Sequence, residues 1–138
     1  MWNIRYMNMK KIGILIVMAL FFVATCHAES EKEGSIKFET TVHDFGNIKE
    51  TAGPQIYKFK FTNVGQAPLK IKNAKAECGC TKPEFPVKEI APGESGYITV
   101  AYNPRGNRGG FTKTVTVRST GSPGKVVLKI RGTVIPDL

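Results

Sequence analysis

The sequence predicts an all-β fold, a seven-stranded antiparallel β-sandwich, and three observations support this prediction. Apolar and polar residues alternate along much of the chain, as they do in half-buried strands. Turn signals such as "NVGQ", "APGESG" and "GSPG" separate the alternating stretches. After the first 28 residues, no stretch shows a convincing helical period. Short strands with regular turn signals in a chain of about 100 residues are typical of a sandwich.

The first predicted strands precede a pair of cysteines. Ile36, Phe38 and Thr40 alternate with charged residues and form the first strand. The stretch "QIYKFKFTN" is the clearest strand, because its aromatic residues fall on one face and its lysines on the other. After the turn "NVGQ", Leu69 and Ile71 face inward between lysines.

The remaining predicted strands follow the cysteines. Pro83 and Pro86 interrupt any central strand there, because proline cannot donate to a ladder of hydrogen bonds. The stretch "YITVAY" then puts Ile98, Val100 and Tyr102 on one face, and Val115 and Val117 carry the next strand. In the last strand, "KVVLKIRGTV", Val126, Leu128 and Ile130 face inward.

Residues 1–28 have the features of a secretory signal peptide. Basic residues precede the apolar run "IGILIVMALFFV", and the small residues of "ATCHAES" follow it. The run is shorter than the roughly 20 residues that cross a bilayer, which disfavours a permanent transmembrane anchor. Cleavage after Ala28 would start the mature chain at Glu29. Alternatively, "VATC" is a lipobox and Cys26 carries a lipid. We therefore expect an exported protein, periplasmic or secreted, or a lipoprotein anchored in a membrane through Cys26.

Beyond the signal peptide we expect a flexible tether, residues 29–35, and one domain, residues 36–138. The 138 residues less these 28 leave 110, enough for one hydrophobic core. Three of the 20 basic residues and none of the 11 acidic ones lie in the signal, so the remaining charge is 17 minus 11, or +6. The lysines stand singly between apolar residues, and we therefore expect no nucleic-acid partner.

The stretch "KAECGCTKPEF" holds the only two cysteines of the predicted domain, Cys78 and Cys80. Residues two apart in a strand have Cα atoms about 6.6 Å apart, at the outer limit for a disulfide, so a bridge requires a bend, which Gly79 permits. The chain-entropy relation gives so short a loop only about 1.6 kcal/mol of stabilisation. The alternatives are buried or intermolecular thiols, a redox centre, or a soft-metal site for Cu(I) with His43 as the one available helper.

Two further motifs have structural explanations. In "HDFG", His43 lacks a second histidine or a partnered serine in the mature chain, so we interpret it as a strand-end residue beside a turn at Asp44 and a core anchor at Phe45. In residues 103–110, "NPRGNRGG", the arginines lack the spacing and strand-to-helix context of a phosphate-binding loop. We expect a loop between strands there, and we predict no catalytic residues and no cofactor.

The stretches "VHDFGNIKE", "KFKFTNVGQAPLKI", "CGCTKP", "IAPGESGYITVAYNP", "GGFTKTVTVRS" and "LKIRGTV" occur in this order and resemble a bacterial exported family, domain of unknown function 1573. The resemblance covers residues 38–134. The motif residues are His43, Asp44, Phe45, Gly46, Asn63, Gly65, Cys78, Gly79, Cys80, Thr81, Pro92 and Gly93. The same outline is similar to the immunoglobulin-like domains of major sperm protein and Hydin-type modules. The resemblance implies an immunoglobulin-like sandwich that serves as a structural or interaction module and has no active site.

The expected function is that of a binding or assembly module of the bacterial cell envelope with protein partners. Contact with a membrane is expected only through a lipid anchor. The candidate contact regions are the segment around Cys78, Cys80 and Pro83, which we call the cysteine–proline segment, and residues 103–110. The alternative function is a copper-binding or thiol-redox protein that uses Cys78 and Cys80.

Overall fold

A computed structural model of the chain describes residues 31–137. The predicted signal peptide and Cys26 lie outside the described residues. All regular elements within residues 31–137 are strands. The eight strands are, in chain order, β1 (Ile36–Phe38), β2 (Val42–Lys49), β3 (Gln55–Asn63), β4 (Ile71–Ala76), β5 (Thr81–Glu84), β6 (Ser95–Tyr102), β7 (Gly109–Ser119) and β8 (Lys125–Ile135). Within this described range, no helix has the length and hydropathy that crossing a membrane requires.

The strands form two four-stranded sheets. One sheet has the order β1-β3-β6-β5, and the other has the order β2-β8-β7-β4. Every pair of neighbours is antiparallel except β2 and β8, which run parallel. The prediction of an all-β fold is confirmed, whereas a purely antiparallel arrangement of seven strands is wrong.

Six of the seven predicted strands were located in the sequence, and the two observed strands outside those stretches, β2 and β5, each have a weak period-2 signal. In β2 only Ile48 is buried, and the register shifts between Asp44 and Asn47 around Gly46, whose φ is +66°. Strand β5 has four residues and includes Pro83. Because β5 is an edge strand, a proline there need not remove a ladder hydrogen bond.

One hydrophobic core draws its side chains from both sheets. The aromatic residues of β3 illustrate the predicted alternation, since Phe59 and Phe61 are fully buried and Tyr57 packs against the same cluster. The other predicted inward-facing residues that are buried are Ile36, Leu69, Ile71, Ile98, Val100, Tyr102, Val115, Val117, Leu128 and Ile130. The period-2 pattern therefore identified most of the core.

The hydrogen bonds of the domain begin at Glu33, before the predicted boundary at Ile36. The N–H of Gln66 donates to the Glu33 carbonyl over 3.0 Å, and the N–H of Ser122 donates to the Gly34 carbonyl over 2.9 Å. The N–H of Ser35 donates to the side-chain oxygen of Asn63. The last three residues of the predicted tether are therefore held against the domain.

Candidate functional site

Three connections between strands meet at one end of the domain. They are residues 50–54, 77–80 and 103–108, and we call this surface the disulfide end. The starts of β3 and β5 are aligned there, because Gln55 and Thr81 both pair with Tyr102 at the end of β6. The N–H of Asn103 donates to the Cys80 carbonyl over 2.9 Å. The two contact regions that the sequence suggested are thus hydrogen-bonded neighbours.

The loop that follows β6 is also tied to residue Glu50. The N–H of Gly106 donates to a carboxylate oxygen of Glu50 over 3.2 Å, and Arg108 forms an ion pair with the same carboxylate at 3.6 Å. Within the loop, the N–H of Arg105 donates to the Asn103 side chain. Nothing in the local sequence around Glu50 indicated these contacts, because 56 residues separate it from Gly106.

Cys78 and Cys80 are joined by a disulfide, with Cα atoms 5.5 Å apart. This distance is shorter than the roughly 6.6 Å of an extended strand, so the chain bends here as the sequence required. The N–H of Thr81 donates to the Cys78 carbonyl over 3.3 Å and closes the turn. The turn carries the chain from β4 in one sheet to β5 in the other, so the disulfide lies in the connection between the sheets.

Gly79 permits this bend, but the bend does not require a glycine. Its φ lies outside the left-handed region, and a Cβ added to it would meet no atom within 4 Å. An alanine therefore fits in the same turn.

The motif residue His43 lies in an aromatic cluster. Its ring stacks on Tyr57 with centroids 3.7 Å apart and meets Phe45 edge-on at 4.6 Å. Partial burial lowers the pKa of His43, and the nearby charge of Asp44 opposes this shift in part. Residues 31–137 contain no group of three or more His, Cys, Asp and Glu side chains that could hold one metal ion. The ligand set of His43, Cys78 and Cys80 is therefore not brought together.

Asp44 and Gly46 shape the outer edge of β2. One carboxylate oxygen of Asp44 accepts the N–H of Gly46 at 2.8 Å, and the other accepts Nε of Arg131 at 3.0 Å. The hydrogen bond from Gly46 and then the charge of Arg131 lower the pKa of Asp44. Gly46 occupies the left-handed region, which a side chain rarely adopts. The "HDFG" motif thus builds a bulged strand edge.

The motif residues Asn63 and Gly65 lie at the opposite end of the domain. The buried amide of Asn63 donates to the carbonyls of Ala67 and Ile90, and its oxygen accepts the N–H groups of Ser35 and Gly65. A Cβ on Gly65 would collide with the backbone of residues 33–35. These two positions therefore join three separate segments of the chain.

Pro92 and Gly93 form the turn that leads into β6. The N–H of Glu94 donates to the Ala91 carbonyl over 3.0 Å, and Gly93 has a φ of +82°. Proline followed by a glycine of positive φ is the pattern of a type II turn. The N–H of Gly93 also donates to the carbonyl of Asn63, so this turn belongs to the same cluster of hydrogen bonds.

A shallow, open groove of about 720 Å³ runs between the edge strands β4 and β5, and the sequence did not indicate it. Its walls are formed by β4 from Ala74 to Ala76 and by β5, and the turn with the two cysteines joins them. Lys82 and Cys80 also border a second, smaller depression of about 330 Å³ beside Asn103 and Arg105. Exposed surface on both sides of the disulfide is therefore concave.

The fold is similar to that of immunoglobulin-like and PapD-like domains of known structure. It is similar to the ASH/PapD-like domain 7 of human CEP192, with a TM-score of 0.62 and 9% identity over 77% of this chain and 89% of that domain. It is also similar to a protein of unknown function from Porphyromonas gingivalis W83, with a TM-score of 0.67 and 15% identity over 80% of this chain. The YadV chaperone matches 72% of this chain and 52% of its own, with a TM-score of 0.53 and 14% identity.

Residues 36–134 match the family described as protein of unknown function (DUF1573), and the chain belongs to this family. The resemblance that the motifs indicated is confirmed. The chain spans about half of the Porphyromonas gingivalis protein, 51% of its length. The sequence matches no curated protein. At these identities the structural likenesses establish the fold alone.

We expect the double substitution Cys78→Ser with Cys80→Ser to cost little stability. The loop is so short that the chain-entropy relation gives at most about 1.6 kcal/mol. Urea unfolding of oxidised protein and of the double variant measures the difference. A much larger loss of the free energy of unfolding would show that the disulfide holds the crossing between the sheets together.

We also expect stability to fall as the pH drops below about 6.5, because His43 has a lowered pKa in the folded state. The unfolded chain then binds a proton that the folded chain does not, so the contribution is present above pH 6.5 and is lost toward the folded-state pKa. Urea midpoints between about pH 7.5 and pH 5.5 measure the slope. The His43→Phe variant keeps an aromatic ring on Tyr57 and should flatten it. An unchanged slope in this variant would contradict the assignment.

Proposed function

We propose that the protein is an exported binding or assembly module of the bacterial cell envelope, and that it binds protein partners and catalyses no reaction. One observation supports the proposal: the cysteine–proline segment and the loop after β6 lie next to each other and form one surface at the disulfide end. The N–H of Asn103 joins the two segments directly through Cys80. Loops at the end of a rigid sandwich-type scaffold commonly supply binding residues.

The loops of the disulfide end are held together by contacts within the chain. Glu50 holds the loop after β6 from one side, and the bridge between Cys78 and Cys80 constrains the neighbouring turn. An ordered surface loses less conformational entropy on association, which favours affinity. Lys82 and Arg105 are exposed there beside exposed Glu77, so charged groups of both signs are available to a partner.

Photo-crosslinking in cells that export the protein tests this proposal. A photoreactive side chain at Arg105 should give discrete adducts with an envelope protein, whereas the same side chain at exposed Val64, at the opposite end, serves as the matched control. Adducts at neither position, or equal adducts at both, would contradict a partner site at the disulfide end. Signal cleavage and palmitate labelling in the same cells test export and the lipid on Cys26, and the Cys26→Ser variant controls for the label.

A thiol-redox role is the second candidate, and the partly exposed disulfide favours it. Both sulfur atoms lie near the hydroxyl of Thr81, at 4.0 Å from Cys78 and 3.8 Å from Cys80. Such a protein would exchange disulfides with a client thiol, which requires reduction of its own bridge. Thiol counting after equilibration with a glutathione buffer measures this reduction. A bridge that stays closed under these conditions, with no copper in the purified protein, would exclude the redox and copper functions.

A further inference from the structure

The outer edge of β4 carries backbone groups without a partner among residues 31–137. The N–H of Glu77 donates to the Thr114 carbonyl of β7 over 3.3 Å. In an antiparallel pair only alternate residues bond across the pair. Lys75, opposite Thr116, therefore bonds to β7 as Glu77 does. The N–H and C=O groups of Ala74 and Ala76 consequently point away from the sheet.

The hydrogen bonds on the far side of β7 lead to the same assignment. The N–H of Ser119 donates to the Gly124 carbonyl over 3.0 Å, so Ser119 faces β8. By the same alternation Val117 and Val115 also face β8. These two valines are the residues opposite Ala74 and Ala76, and they offer no backbone group to β4.

The outer edge of β5, across the groove, has no N–H to offer. Because Asn103 bonds to the carbonyl of Cys80, the alternation directs the backbone groups of Thr81 and Pro83 outward. The N–H of Thr81 already donates to the carbonyl of Cys78. Pro83 has no N–H at all. A strand entering the groove therefore finds donors on β4 alone.

The outer edge of β2 is protected by side chains up to the bulge at Gly46. Lys129 of β8 donates to the Thr41 carbonyl, which directs Val42 toward the free side. The hydroxyl of Thr40 lies 3.3 Å from the N–H of Val42, and the carboxylate of Asp44 lies 2.8 Å from that of Gly46. Local acceptors and a shifted register are common means of protecting an edge from pairing.

Open backbone groups also occur at Asn47 and Lys49, after the register shift of β2, and on the part of β3 that extends beyond β1. The alternation directs Ile56 and Lys58 to this side, where β1 has ended. Strand β2 lies on this side of β3, and His43 of β2 stacks on Tyr57 of β3. No comparable obstacle stands beside Ala74 and Ala76, which line the groove instead.

The side chains around the β4 edge define what an added strand would look like. Ala74 and Ala76 are small and pack against the core, and Pro83 and the disulfide lie on the other side of the groove. On β4 itself, Lys72 and Lys75 are exposed, and the hydroxyl of Thr114 already donates to the nearby Glu77. Apolar residues therefore fit toward the groove, and acidic residues fit opposite the lysines.

We propose that the outer edge of β4 binds an extended strand of a partner protein, with apolar side chains alternating with acidic ones, so that the strand extends the sheet β2-β8-β7-β4. This inference rests on the proposed function and names its contact. The N–H and C=O groups of Ala74 and Ala76 supply the main-chain hydrogen bonds. The disulfide lies in the turn that joins β4 and β5 at one end of the groove.

Amide exchange measured by NMR on the exported protein tests this edge directly. The probe is a peptide of about seven residues that alternates valine and glutamate, long enough for one strand. The amides of Ala74 and Ala76 should exchange rapidly in the free protein and become protected when the peptide binds. A peptide with lysine in place of glutamate should bind more weakly because of Lys72 and Lys75.

Three variants separate the edge from other surfaces. Ala74→Pro removes one outward N–H without breaking a bond to β7 and should weaken the peptide at least about tenfold. Pro83→Ala, the matched control, restores an N–H on the opposite edge and should leave affinity unchanged. Lys75→Glu keeps the backbone intact and should reverse the preference between the two peptides, which tests the edge even if the proline variant fails to fold.

Several results would overturn the inference. They are the absence of binding by the peptide, protection at Ile56 and Lys58 instead, or equal affinity for the Ala74→Pro variant. Protection of Ala74 and Ala76 that depends on protein concentration without peptide would identify a second copy of the chain as the occupant. If any of these results occurs while Arg105 still gives specific adducts in cells, the proposed function stands and only this contact is wrong.

Discussion

Replacing Asn63 with alanine is expected to lower the free energy of unfolding by about 3 to 5 kcal/mol, because buried hydrogen bonds are lost and their partners stay unsatisfied. The side chain of Asn63 is fully buried and makes hydrogen bonds to four backbone groups. The two carbonyls belong to Ala67 and Ile90, and the two N–H groups belong to Ser35 and Gly65. An alanine methyl can replace none of these contacts.

Urea unfolding followed by circular dichroism measures this loss. Asn47 supplies the matched control, because it is exposed and its side chain makes no hydrogen bond within the described residues. Asn47→Ala should therefore change the stability by less than about 0.5 kcal/mol. The Asn63→Asp variant is a second test, since it keeps an acceptor for the two N–H groups but faces the two carbonyls with an oxygen. A loss below about 1 kcal/mol for both Asn63 variants would contradict the role assigned to this residue.

Replacing Gly65 with alanine is expected to cost at least about 2 to 3 kcal/mol, as overpacking against a rigid neighbour does. The added Cβ would collide with the carbonyl oxygen of Glu33 and the nitrogen of Ser35, and it would lie 2.7 Å from the carbonyl carbon of Gly34. These atoms are backbone and cannot rotate away as a side chain could. The segment before β1 would have to separate from the turn that follows β3.

Amide exchange at Ser35, together with urea unfolding, measures this separation. Gly79→Ala is the control, because its Cβ meets nothing within 4 Å and its φ is ordinary. We expect this control to stay within about 0.5 kcal/mol of the parent protein. Equal stability of the Gly65 and Gly79 variants would show that residues 33–35 do not pack as described.

Alternation along single strands was sufficient to locate most of the core. In β3 and β6 the same inward face runs through the whole strand, so Phe59, Phe61 and Val100 could be assigned from the sequence. The same reasoning did not find β2 and β5. Strand β2 buries one residue only, and β5 carries a proline, so neither has a pattern from which a strand could be predicted.

The residues of the disulfide end illustrate a different limit. Cys78 and Cys80 stood out by their rarity, and their spacing indicated that a bridge would need a bend. The pattern did not specify the neighbours of that bend, because Asn103 and Glu50 come from distant parts of the chain. Such contacts depend on how the strands align, which short-range patterns do not encode.

By itself, the sequence determined the all-β class, the family and most of the buried face. These properties depend on composition, on spacing within one strand and on recognisable motifs. Only the tertiary structure explained why Asn63 and Gly65 occur in the motif. It also showed which backbone groups at the strand edges have no hydrogen-bond partner. The physical reason is that hydrogen bonds of buried and edge backbone groups are completed by residues far along the chain. The free backbone groups of Ala74 and Ala76 can be recognised only once the partners of every other edge are known.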